Sequence, residues 1–223
     1  KIKFIKAYRG DLFELLQWLR GPSNLLIDFY DDNKEEVLFY LIENVTNYIF
    51  ETIDIWKKFE VDGIWFMDDW VTNDQLFTHS YKWRKFFKPF YKKIINKIHY
   101  RGKYAEMHSD GFITNIIQNL IELGLDVLNP QHNKMEDVKV REVCFGKFCI
   151  RTDVDCQSIL PYGNPYDVKR HVKNIIDILA HPYGGLILRG EVEIGEPFEN
   201  YEAMYEAFYK YGNYRDYISV YNS

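Results

Sequence analysis

The sequence predicts an α/β fold with a parallel sheet, built as a (β/α) barrel. Three observations predict it. Short β-rich runs alternate with amphipathic helical runs from one end of the chain to the other. No low-complexity linker or shift of composition interrupts that alternation, so residues 1–223 read as one domain. The 223 residues, 47% apolar and 17% aromatic, supply core material for a barrel whose usual size is ~250 residues.

The strand-like runs, in order, are residues 3–7, 63–67, 103–107, 126–128, 147–152 and 185–188. Between and after them lie helical runs at 34–58, 81–100, 113–123, 167–180 and 201–211, each long enough to cross back over a sheet. Asn164-Pro165 predicts a helix start, because proline's missing N–H is tolerated in the first turn. Gly124 and Gly212 predict helix stops, where a left-handed residue lets the last carbonyls be satisfied.

A closed (β/α)8 TIM barrel has eight strands. Six are legible, and the chain starts with Lys1 rather than Met. The expectation is a barrel incomplete at its N-terminus, with about six βα units present and the first two carried outside this sequence. Two alternatives are a further strand within residues 1–32 and sheet edges covered by a second protomer, as in a homodimer.

Composition narrows the function. No run of about 18 apolar residues could span a bilayer, and the opening residues lack the apolar stretch of a secretory signal, which predicts a cytoplasmic protein without membrane contact. Cys144, Cys149 and Cys156 form no C-x-x-C pair, so reduced thiols are expected. A net charge of −5 speaks against nucleic acid as a partner. The basic run from Lys82 to Lys97 is interleaved with Phe and Ile at helical spacing and reads as a solvated outer face.

In parallel α/β folds the reactive residues gather where the strands end. After 63–67 come Asp68, Asp69, Thr72 and Asn73; after 103–107, His108 and Asp110; after 126–128, Asn129 and Gln131. After 147–152 come Asp153 and Asp155, and after 185–188 come Arg189, Glu191 and Glu193. The carboxylates outnumber Arg189 and His108, so such a mouth must bind a cation, bind protons or turn some members away. His108 and Asp110, two residues apart, are candidate metal ligands. Asp68 and Asp69 cannot both face the pocket if the strand continues, because successive side chains alternate; Asp69 is the one expected to enter it. Gln131, Thr72 and Asn73 suit substrate orientation more than proton transfer.

At these loops the sequence resembles the uroporphyrinogen decarboxylase superfamily. The likeness is carried by IWFMDDWVTN (64–73), RKFFKPFYKKII (84–95), YAEMHSDGFITNIIQNLIELGLDVLNPQ (104–131), DVDCQSILPYGNPYDVKRHV (153–172) and GGLILRGEVEIGEPFENYEAMYEAFYKYG (184–212). The blocks keep one order, and the likeness as a whole runs from about residue 54 to 212. The resemblance implies a (β/α)8 barrel with a deep cleft and one of two chemistries: cofactor-free decarboxylation of a tetrapyrrole, or methyl transfer between a corrinoid and a thiol-like acceptor using zinc held by a His-x-Cys pair and a distant Cys. His108 matches that histidine, Asp110 stands where Cys is expected, and the second Cys falls near Gly190, beside Glu191. A His108, Asp110, Glu191 site would replace soft ligands by hard ones and favour a divalent metal of harder character, or none. The decarboxylase's arginines and key aspartate belong to N-terminal motifs that this sequence does not contain, and its polycarboxylate substrate calls for a basic cleft.

The resemblance and the residues together predict a methyltransferase-like enzyme acting on a small-molecule or tetrapyrrole-linked substrate, with a corrinoid protein as partner and a divalent metal, zinc or another, as cofactor. The alternatives are a porphyrinogen decarboxylase without cofactor and a non-catalytic binding subunit or decayed paralogue. His108, Asp110 and Asp69 are expected to be catalytic. Asp68, Thr72, Asn73, Gln131, Asp153, Asp155 and Arg189 are expected to bind substrate, with His108, Asp110 and Glu191 as metal ligands.

Overall fold

The structure is a computed structural model that describes residues 4–8, 11–70, 76–110, 113–130, 137–181 and 184–213. It divides into two compact units, Lys1–Leu128 and Asn129–Ser223. In the first, β1 (Lys6–Tyr8) leads to α1 (Leu12–Arg20), α2 (Pro22–Asp28), a 3-10 turn (Asp32–Lys34) and α3 (Glu35–Trp56). Then follow β2 (Gly63–Met67), α4 (Ser80–Phe86), α5 (Lys88–Tyr100), β3 (Tyr104–Ser109), α6 (Thr114–Leu123) and β4 (Val127–Pro130), which crosses the boundary. The second unit adds α7 (Asp137–Cys144), β5 (Cys149–Asp153), α8 (Ile159–Tyr162), α9 (Pro165–Leu179), β6 (Leu186–Arg189) and α10 (Phe198–Tyr211).

The predicted α/β class holds. β1, β2 and β3 pair in parallel and in chain order, with Lys6 opposite Gly63 and Met67 opposite His108. In the second unit β5 and β6 are parallel, with Asp153 opposite Arg189. Six strands are found among the described residues, each overlapping or adjoining an expected run. Residues 11–28 hold two helices, and β1 is the one strand among the described part of 1–32. The helix expected over 81–100 is broken at Phe87 into α4 and α5. Pro89 is the cause: it has no N–H to give Lys85, and its ring crowds that carbonyl.

In the first unit α3 lays Leu38, Ile42, Val45, Ile49 and Ile53 against the core at helical spacing, and α5 does the same with Phe90, Tyr91, Ile94, Ile95 and Ile98. The basic run is the outer face it was expected to be. Lys85 pairs with Glu35, Lys88 with Glu122, Lys93 with Glu43 and Lys97 with Asp54, tying α4 and α5 to their neighbours. Lys82 departs from it: it is buried, its ammonium over the rings of Tyr30, Tyr81 and Phe86. No helix among the described residues is long and apolar enough to cross a membrane.

The second unit packs α9 on α10 through Val168, Val172, Ile176, Met204 and Ala207. Asn164 starts α9 as expected, with its side chain accepting from the N–H groups of Tyr166 and Asp167 while the Asp167 carboxylate reaches back to the Asn164 N–H. Asn164→Ala therefore costs about 1 kcal/mol of stability, read as a shift in the denaturant midpoint at constant slope. Gly124 closes α6 in the left-handed region at φ 81°, as its position predicted.

Candidate functional site

The end of β2 presents two aspartates, and pleating sends their side chains apart. Asp68 continues the ladder, its N–H donating to the His108 carbonyl at 3.1 Å. Its side chain is fully buried under the start of α1. Oδ1 accepts the Phe13 and Glu14 N–H groups at 2.7 and 3.2 Å, and Oδ2 accepts the Leu12 N–H at 3.0 Å and the Tyr91 hydroxyl at 2.6 Å. The first turn of a helix leaves such donors without intrahelical partners, and a carboxylate set 54 to 56 residues away along the chain satisfies three of them here. Burial, with repulsion from Asp11, pushes the Asp68 carboxyl up to about 8, against the pull of its donors. Asp68 was expected to touch substrate; its hydrogen bonds assign it to holding α1 on the sheet.

Asp69 points the other way. Its Oδ1 accepts the Asp110 N–H at 2.9 Å, and His108 Nε2 lies 3.3 Å from Asp110 Oδ1. Asp69, His108 and Asp110 each offer a ligand atom, and these atoms lie within 4.8 Å of one another. The His108 side chain is 13% exposed and that of Asp110 52%, so the cluster is walled on one side and open on the other. Burial pushes the Asp69 carboxyl up; the bond from Asp110 N–H and the nearby His108 offset this only in part.

Glu14, which the sequence reading missed, faces the same cluster. It stands in the first turn of α1, half-buried, and its carboxyl is raised by burial and then by Asp11 and Asp69, with His108 opposing. Only the docking of α1 onto Asp68 brings it there, so its position in the sequence carries no signal beyond an acidic residue at a helix start.

The second unit carries its own polar grouping. Asn129 is fully buried; its amide donates to the Arg151 carbonyl at 2.8 Å and to Asp153 Oδ2 at 2.7 Å, and its oxygen accepts from Arg151 Nη2 at 2.6 Å. Arg189 Nη1 donates to Asp153 Oδ1 at 2.7 Å, and its other nitrogen pairs with Glu191. The expected substrate residues Asp153 and Arg189 are thus joined, and Asn129 and Arg151 brace them. Asp155 folds back on its own turn, accepting the N–H groups of Gln157 and Ser158 and the Ser158 hydroxyl. Burial opposes its ionisation, yet those donors hold the carboxyl below its usual range. Asp155, expected to bind substrate, is therefore occupied in shaping its turn. Glu191, expected as a metal ligand, is engaged by Arg189. Thr72, Asn73 and Gln131 lie outside the described residues.

None of the curated proteins compared matches the chain. Among solved structures, a methyltransferase from Methanosarcina mazei shares the fold with a TM-score of 0.75 at 16% identity, over 94% of this chain. The chain spans 59% of that protein's length. The uroporphyrinogen decarboxylase (URO-D) family model matches residues 13–211, which is most of the chain. With these strands, and with its polar residues at the strand ends, the chain belongs to the URO-D family.

Proposed function

We propose that this chain is a methyltransferase-like member of the URO-D family whose reactive centre is the Asp69–His108–Asp110 cluster. The observation that carries the reading is the convergence of two carboxylates and an imidazole, from the ends of β2 and β3, to within 4.8 Å. That the structural neighbour is a methyltransferase supports the reaction class.

The donor set fits a divalent cation. Metal–ligand distances near 2.1 Å put ligands ~3–4 Å apart, as the 3.3 Å between His108 and Asp110 would allow. The Asp110 N–H occupies Asp69 Oδ1 and leaves Oδ2 for a ligand role. Two carboxylates and one imidazole make a harder set than thiolates, suited to zinc, manganese or iron. A cation there supplies Lewis acidity that favours the deprotonated acceptor. The chain's own part is to hold and orient: Asp110 fixes Asp69 through the backbone, His108 sits walled on one side, and Glu14, its carboxyl raised by burial, adds a third carboxyl group beside them. Asp153 and Arg189 remain the candidates for substrate contact in the second unit, and the methyl donor is a corrinoid, carried by a partner protein.

The test is demethylation of methylcobalamin by the purified protein with a thiol acceptor and added divalent metal, run beside uroporphyrinogen. Metal-dependent methyl loss is expected. Decarboxylation of uroporphyrinogen, with methylcobalamin left intact, would overturn the reading.

A further inference from the structure

The second unit contains a cavity of about 290 Å³ apart from every residue discussed above as a site. It sits at the starts of β5 and β6, where Phe148 precedes the first strand and Gly184 and Gly185 precede the second. Asp153 and Arg189 lie at the opposite ends of the same strands.

Among the described residues its wall carries Arg141, Lys147 and His181 and neither Asp nor Glu. That is unusual ground in a chain with 33 acidic and 28 basic residues. Among the described residues no carboxylate pairs with Arg141 or Lys147. Arg141 instead gives one nitrogen to the Ile178 carbonyl and lies over the Phe145 ring at 4.3 Å, and that ring meets His181 at 4.5 Å. The guanidinium is therefore held in place before any ligand arrives. Cys144 adds no negative charge, since burial pushes its thiol up to about 12, with Lys147 opposing.

A basic residue in the last turn of α7 could serve only to offset that helix's carbonyl end. This accounts for Arg141 and not for His181, which arrives from beyond α9. It also leaves the concavity unexplained. Gly184 and Gly185, at φ 104° and 94°, keep the floor bare: a Cβ on Gly184 would meet nothing within 4 Å. The volume lies just under the ~300–1,000 Å³ of drug-sized pockets, which suits a small ligand.

We infer that this cavity is a binding site for a small dianionic phosphate, either free or as the monoester of a small metabolite, held by Arg141, Lys147 and His181. Guanidinium, ammonium and imidazole together match the several acceptor oxygens of phosphate better than the two of a carboxylate. The inference does not rest on the proposed methyl transfer.

The test is calorimetric titration of the full chain at low ionic strength, where screening is weak. The probes are inorganic phosphate, glycerol 3-phosphate and succinate. Saturable binding of at least one phosphate at millimolar concentration or tighter is expected, with tighter binding of the ester identifying an ester ligand and tighter binding of inorganic phosphate a free one. Lys147 is exposed, so Lys147→Glu should fold normally and should weaken phosphate about tenfold or more while leaving the melting temperature unchanged. Arg141→Gln, which keeps a donor for Ile178, should weaken it as well. No saturable phosphate binding, equal binding by both variants, or succinate bound as tightly as phosphate would each overturn the assignment.

Discussion

His108→Ala is expected to lower divalent-cation affinity by on the order of 100-fold or more and methyl-transfer turnover by about 10²–10⁴-fold. The imidazole is the one nitrogen donor of the three, and its loss leaves the cation only the two carboxylates, Asp69 and Asp110. Affinity should also depend on pH with a definite sign. The carboxylates must be ionised and the imidazole neutral, so binding strengthens as pH rises. Burial displaces the Asp69 carboxyl upward, so its part of that rise falls above the usual carboxylate range. Metal content of the purified protein and its variant, with isothermal titration across pH, measures both effects. Equal metal binding by the wild type and His108→Ala would remove His108 from the centre.

Asp68→Ala is expected to cost about 4 kcal/mol of stability, the largest effect of any single change named here. Truncation strands three N–H groups of the first turn of α1 and the Tyr91 hydroxyl in a buried place. Tyr91 also accepts the Trp70 indole N–H at 2.9 Å, and Trp70 stacks on Phe13, so the loss spreads into the aromatic core. Asp68→Asn keeps one oxygen acceptor and should cost less. The folded carboxyl, at about 8, lies above the ordinary aspartate value of 3.8. Its contribution is therefore fully present below pH ~4 and is lost as pH rises through about 8, on the order of a few kcal/mol. Asp68→Asn should flatten that slope. Denaturant midpoints at several pH values decide the matter, and a loss for Asp68→Ala below about 0.5 kcal/mol would refute the bracing role.

The two variants separate the two aspartates that the sequence places side by side. Alternation says that they part; it does not say which one meets solvent. The arrival of α1 decides it, because a helix N-terminus needs an acceptor and Asp68 is the one beneath it. The same docking brings Glu14 to Asp69 and His108. The helix over 12–20 is not among the expected helical runs, since nine residues are fewer than an isolated helix needs and its docking on Asp68 is what holds it.

Local chemistry did determine a great deal. Period and punctuation gave the order and type of the strands, the start of α9 at Asn164 and the stop of α6 at Gly124, because those signals depend on neighbours within a few residues. They also placed His108 and Asp110 at one strand end. What the tertiary structure alone decided is which polar residues meet and which are already engaged. Asp69 reaches Asp110 because the register sets Met67 opposite His108. Glu191 is taken by Arg189, and Asn129 becomes the buried brace of Asp153. Such pairings are fixed by sheet register and helix docking between residues far apart in the chain, and the spacing of residue types along a sequence does not record them.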